Sequence, residues 1–299
     1  MPAPDGPTGS TVPRRQLGRI LGELRERAGL TVKAAAKELE RSPVTLWRVE
    51  QGKVASRMVE VKAMCECYGA SKDLTKALVG LAQETKAKGW WHAYGDVIPA
   101  GFDLYIGLEE AASRIDWYEP ELVPGLLQTE DYARTIMREG QGSPIETPEE
   151  IERRVQVRLK RRALLTRITT PPTLNVLVNE AVVRRPIGGH SIMAGQLTHL
   201  AEVSRMPNIT IRVVPFSSGL HQGVMTGQFQ ILRFPLAGNG KETEPPTVYS
   251  DGYTGDLYLD RPSEVDRYDK AFQDIASKSL TAEASRHLIL EMAEHHEQT

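Results

Sequence analysis

The stretch LRERAGLTVKAAAKELERSPVTLWRVEQG, residues 24–52, holds two helix starts and two helix stops in close succession. Gly29 is a C-cap residue, and it closes a helix that opens near Gln16, in which Leu17, Ile20, Leu21 and Leu24 recur at helical spacing. Thr31 then caps a second helix containing Ala34, Ala35 and Leu39. Ser42 caps a third, with Pro43 at the first helical position, where a missing N–H costs nothing, and that helix ends at Gly52. Working outward, a fourth helix runs from about Arg57 to Tyr68, with Val61, Met64, Cys65 and Tyr68 on one stripe, and stops at Gly69. Ser71 opens a fifth. Helices two and three, with only a few residues between them, have the outline of a helix-turn-helix, in which the second helix of the pair enters the major groove. Helical hairpins are common, so the outline by itself is a weak signal.

The charge distribution points the same way. Of the 299 residues, 37 are Lys or Arg and 39 are Asp or Glu, a formal net charge of -2. Residues 1–89 carry 16 of the basic and 10 of the acidic side chains, leaving 21 basic against 29 acidic in the remainder. A basic piece joined to an acidic one suggests a polyanion-binding module carried by a different kind of domain. With 40% hydrophobic and 25% charged residues the chain can bury a core. No apolar run reaches the length of a membrane helix, and MPAPDGPTGSTVPRR has no apolar signal-peptide centre, so a cytoplasmic protein with no membrane partner is expected. The two cysteines, Cys65 and Cys67, diverge on a helix and complete no zinc site, so no disulfide, metal or other cofactor is expected.

Residue identity strengthens the helix-turn-helix reading. The series Leu24-Arg25, Gly29-Leu30-Thr31, Ala35, Leu39, Ser42, Leu46, Glu50, Gly52 resembles the XRE or Cro/repressor family. That resemblance implies a recognition helix at 42–51 whose outer residues Pro43, Val44, Thr45 and Arg48 read base edges. Arg48 offers a bidentate fork to guanine, and Val44 or the Thr45 methyl suits a thymine methyl. By the same resemblance Thr31, Ser42, Gln51 and Lys53 sit where relatives meet phosphates, and Arg25 and Glu50 match an ion pair that ties the first helix to the third. Two positions depart from the family. Val32 stands where Gln is usual, removing one phosphate contact, and Trp47 stands at a usually polar position, where domain packing is expected more than base stacking.

Beyond a connector at 81–101, which contains Trp90 and Trp91 among glycines, the pattern is mixed. Residues 103–119 read as helix, Val123-Pro124-Gly125 as a turn, and 129–139 as helix. Thr147-Pro148-Glu149-Glu150 has the form of a capping box opening a helix to about Arg167. Strands are expected at 174–178, 209–214, 228–234, 248–249 and 257–259, a helix near 191–204, and two closing helices at 262–278 and 282–294. The phrases at 118–133, 180–189 and 257–262 closely resemble the large C-terminal domain of WhiJ-like, antitoxin-like transcriptional regulators of actinomycetes. This implies a DNA-binding regulator in development or specialised metabolism, often encoded beside a small acidic partner protein. No catalytic constellation emerges: Ser217, Ser218 and His221 lie close in sequence but lack a nucleophile elbow, and His287, Glu291 and His295 share a face better read as solvated. The dense basic run at 153–167 reads as an amphipathic helix with Ile151, Val155 and Leu159 inward, and Arg154, Arg158 and Arg161 as a candidate partner surface.

The resulting expectation is an all-α, five-helix Cro/repressor-like DNA-binding domain at 16–80 behind a flexible arm at 1–15, then the connector and a mixed α+β regulatory and dimerisation domain at 102–299. The expected partners are double-stranded DNA, a second copy in a homodimer, and either a small acidic protein or a small-molecule effector. Two readings from other classes stay open: a second domain that is an enzyme or ligand-processing module addressed to DNA, and antitoxin-like neutralisation of a small partner protein.

Overall fold

The computed structural model describes residues 12–84, 90–99, 102–139, 147–236, 242–252 and 255–299. The first eleven residues of the arm, and 85–89, 100 and 101 of the connector, lie outside the described residues. The chain divides between Ala111 and Ala112 into two compact units.

The first unit is helical: α1 (Val12–Arg27), α2 (Val32–Glu38), α3 (Pro43–Glu50), α4 (Met58–Cys67), α5 (Lys72–Glu84) and α6 (Phe102–Ala111), with a 3-10 turn at Trp90–Tyr94. Leu17, Leu21 and Leu24 of α1, Ala35 and Ala36 of α2, Leu46 of α3, Val61, Met64 and Cys65 of α4, and Leu78 and Ala82 of α5 form one buried cluster. Leu39 and Val49 pack against it, partly buried. Two glycines set how closely α1 meets α3. A Cβ on Gly18 would collide with the Val49 carbonyl oxygen, and one on Gly52 would come within 2.6 Å of the Arg15 Cα.

The second unit holds a six-stranded mixed sheet in the order β3-β2-β1-β4-β5-β6. Its elements are β1 (Arg114–Glu119), α7 (Glu130–Glu139), α8 (Pro148–Arg162), β2 (Thr173–Asn179), α9 (Glu180–Arg184), α10 (His190–Val203), β3 (Ile209–Val214), α11 (Gln222–Thr226), β4 (Phe229–Arg233), β5 (Thr247–Ser250), β6 (Leu257–Leu259), α12 (Pro262–Ser277) and α13 (Ala282–Gln298). Strands β1, β2 and β3 are parallel, with Ile115 opposite Leu174 and Val176 opposite Ile211. Strands β4 to β6 run antiparallel beyond β1, with Tyr118 opposite Phe229. Tyr118, Leu177, Phe229, Ile231 and Val248 meet Val265, Ala271 and Ile275 of α12 in a buried cluster.

Three expected boundaries are corrected. Residues 12–15, expected in the flexible arm at 1–15, form the first turn of α1, whose Gly18 and Leu17 bring it against α3 and the core. Residues 103–119 divide into α6 and β1. All of β1 after Arg114 is buried, Asp116 and Glu119 included, the pattern of a central strand covered on both faces, so apolar and charged residues are mixed on inward positions and no clean alternation marks it as a strand. The helix expected to reach Arg167 stops at Arg162 and continues as a 3-10 turn over Ala163–Thr166. The capping box at its start forms as expected: Glu150 N–H donates to Thr147 Oγ1 at 3.2 Å, and Thr147 N–H donates to Glu150 Oε2 at 2.9 Å.

Candidate nucleic-acid interface

Each of the short helices α2 and α3 is capped at its N-terminus by a side chain. Ala34 N–H donates to Thr31 Oγ1 at 3.1 Å, and Thr45 N–H donates to Ser42 Oγ at 3.0 Å. The Thr45 hydroxyl pairs with Ser42 Oγ at 2.8 Å, and its methyl adds an apolar group to the exposed residue. At the other end of α3, Gly52 N–H reaches the Val49 carbonyl and Lys53 N–H the Arg48 carbonyl, each at 2.9 Å, with Gly52 at φ +62°. This paired 5→2 and 6→1 closure needs a left-handed residue, and glycine takes it without strain.

Beneath α3 lies the expected ion pair. Arg25 Nε donates to Glu50 Oε1 at 2.8 Å and Arg25 Nη2 to Glu50 Oε2 at 3.0 Å, both groups buried, while Nη1 reaches the Leu30 carbonyl at 2.8 Å. The Glu50 hydrogen bonds raise the Arg25 pKa above its usual value. Arg25 is therefore an internal tie between α1, the α2 entry and α3. Cys67 Sγ donates to Glu38 Oε2 at 3.0 Å, and burial, with that carboxylate next, pushes the thiol up to about 11. Arg41 pairs with Glu60, so α2 and the turn are both held to α4.

These ties leave one side of α3 in the core, through Leu46 and Glu50, and the other open. Pro43, Val44, Thr45 and Arg48 are all exposed, as are Thr31, Ser42, Gln51 and Lys53 around them. Trp47, expected from the sequence to pack, is instead 43% exposed. The Lys53 ammonium stands 4.4 Å from the centre of its ring, a cation–π pair of the kind worth about 0.5–1 kcal/mol at an exposed site.

In the second unit the phrase around 118–133 is a buried scaffold. Gln196 accepts from Thr129 N–H at 2.7 Å and donates to the Leu127 carbonyl at 2.9 Å, while Gln128 donates to the Val123 carbonyl at 2.6 Å. Tyr132 Oη accepts from Val123 N–H at 3.2 Å, and burial pushes its phenol up to about 12. Glu119, at the end of β1, is buried. Burial lifts its carboxyl to about 7, against the pull of the Trp117 indole N–H at 3.3 Å and the backbone N–H groups of Glu121 and Leu122.

The basic helix α8 is placed differently from expectation. Val155, Val157 and Arg161 are its buried residues, so the inward face is rotated from the 151/155/159 stripe. Arg161 is 4% exposed, and Arg158 Nη1 donates to Gln128 Oε1 at 2.6 Å. Both guanidinium groups lie beside Gly125, where a Cβ would sit 3.8 and 3.9 Å from them. Arg161 is thus an interior residue, a correction to the proposed partner surface, and the half-buried Arg154 remains from that set. Ser218 Oγ donates to the Lys278 carbonyl at 2.7 Å, while the buried His221 accepts from Gly223 N–H at 3.1 Å and meets Tyr118 edge-on. His287, Glu291 and His295 are exposed on α13, and among the described residues no group of three His, Cys, Asp or Glu is placed to hold a metal ion.

A capped α2–turn–α3 unit with an open third helix defines a helix-turn-helix domain, and a family model described as a helix-turn-helix domain matches residues 16–78. A second, described as a domain of unknown function (DUF5753), matches residues 102–291, and the chain belongs to that family. No curated protein and no solved structure matches it. No helix of the described residues is long and apolar enough to cross a membrane.

Proposed function

We propose that this chain is a sequence-specific transcription regulator that lays α3 in the major groove. The observation that carries the reading is the open face of α3: Pro43, Val44, Thr45 and Arg48 are exposed while Leu46 and Glu50 fix the helix from behind. Arg48 reads a guanine through a bidentate fork, and Val44 or the Thr45 methyl lies against a thymine methyl. Thr31, Ser42, Gln51 and Lys53 surround this face as phosphate contacts. On this reading the first five helices form a Cro/repressor-like domain of the XRE type. The protein acts in the cytoplasm as a WhiJ-like, antitoxin-like regulator of the actinomycete kind, in development or specialised metabolism. The second unit dimerises the protein and receives a small acidic partner protein or a small effector, without catalysis of its own.

Selection of bound duplexes from a random pool by the full chain tests the proposal. The expected result is one enriched motif, with Arg48→Ala relaxing the preference at a single guanine and costing about 1–3 kcal/mol. No enrichment, or an Arg48→Ala variant with unaltered affinity and preference, overturns it.

A further inference from the structure

The outer face of α3 has one member that the base-reading set leaves out. Residues spaced i, i+3, i+4 and i+7 share a helix face, which places Trp47 with Val44, Arg48 and Gln51. Val44 is 59% and Trp47 43% exposed, so two large apolar side chains adjoin on the open side of an eight-residue helix. A single exposed apolar residue needs no explanation, whereas a contiguous pair beside an arginine and a lysine marks a contact surface.

The position of Lys53 says what kind of surface. Its backbone is held by the closure onto the Arg48 carbonyl at 2.9 Å, through a glycine whose left-handed φ of +62° and contact with α1 admit no other residue. From there the side chain folds back over the Trp47 ring at 4.4 Å. An exposed cation resting on one face of an indole, one turn from an exposed arginine, suits a polyanion with an apolar feature beside it. Duplex DNA offers that combination in the major groove, where the thymine C5-methyl is the apolar group on a base edge and phosphates line the rim.

We propose that Trp47 is a specificity-determining residue: its indole packs on a thymine C5-methyl beside the base pair read by Arg48, and it holds the Lys53 ammonium toward the neighbouring phosphate. This rests on the reading of α3 as the recognition helix.

The test uses the full chain and the duplex it selects, with each thymine replaced in turn by deoxyuridine, which lacks only the C5-methyl. Wild type should lose about fourfold in affinity at one or more thymines next to the Arg48 guanine, the ratio that burial of one methyl group gives. Trp47→Ala should bind more weakly and lose that methyl dependence at one such position. Trp47→Phe should keep part of it, and Arg48→Ala should keep it whole. Lys53→Gln should lower the slope of log affinity against log salt by about 1 while the methyl dependence persists. Thermal unfolding of Trp47→Ala at the wild-type midpoint certifies its fold, and Trp47→Phe serves if it falls. Wild-type methyl dependence at every position in Trp47→Ala, or in Trp47→Phe together with a wild-type salt slope in Lys53→Gln, overturns the inference and leaves the DNA-binding reading standing. Failure of wild type to select any duplex overturns both.

Discussion

The Arg25–Glu50 pair is the residue on which the position of the candidate reading face turns. Both side chains are less than a tenth exposed, and the carboxylate receives two guanidinium N–H groups. A buried pair of this kind costs much desolvation, so its net contribution is small while it is whole and the loss is large when it is halved. Glu50→Ala should destabilise the first unit by about 3–5 kcal/mol in denaturant unfolding, because the Arg25 guanidinium is left buried without its partner. Arg25→Met combined with Glu50→Leu should recover most of that loss, and a double variant no more stable than Glu50→Ala would show that packing, not charge, fixes α3.

At the scale of elements, the short helices α2 and α3 stand because their ends are satisfied. A helix of seven or eight residues is marginal alone, since the first four N–H groups of each have no partner within it. Thr31 and Ser42 supply acceptors, and Pro43 removes one donor that needs none. Thr31→Ala and Ser42→Ala should each cost about 1 kcal/mol in stability, measured as a shift of the unfolding midpoint at unchanged slope. These caps, the Gly29, Gly52 and Gly69 stops, and the Thr147 capping box were all legible in the sequence, because capping is local chemistry. Strand β1 was not, because a central strand buried on both faces carries no period-two signal. The short helices α9 and α11 were missed for a related reason: five residues are too few to show a period.

At the scale of the molecule, each unit has its own buried cluster, one around Leu21, Leu46 and Val61 and one around Tyr118, Phe229 and Ile231. Two unfolding steps are expected in calorimetry, with Glu50→Ala lowering only the one that belongs to the first unit. The second step should carry the pH dependence of Glu119. Its carboxyl titrates near 7 when folded against an ordinary value of 4.5, so the folded state binds the extra proton between those limits. Stability from this group is full below about pH 4.5 and falls as pH rises through 7, by up to about 3 kcal/mol. Burial lowers the pKa of His199, His221 and His296, which acts in the opposite sense, removing stability as pH falls below the ordinary histidine range. The Glu119 contribution is therefore read as the difference between wild type and Glu119→Gln, which should flatten between pH 4.5 and 7 in the variant. An identical slope in both would show that Glu119 keeps its charge in the folded chain.

The sequence by itself determined the helix-turn-helix. Its caps, stops and apolar spacing are interactions between residues a few positions apart, whereas the Arg25–Glu50 pair spans 25 positions and is implied in the sequence only by the family resemblance. Only the tertiary structure decided which charged and aromatic side chains face outward, because that depends on what packs against each helix. Arg161, inside a basic run that reads as solvated, is interior since α8 turns it toward Gly125. Trp47, a residue type that favours burial, is open because Leu46 and Glu50 on the same helix take the core side and set the indole on the other.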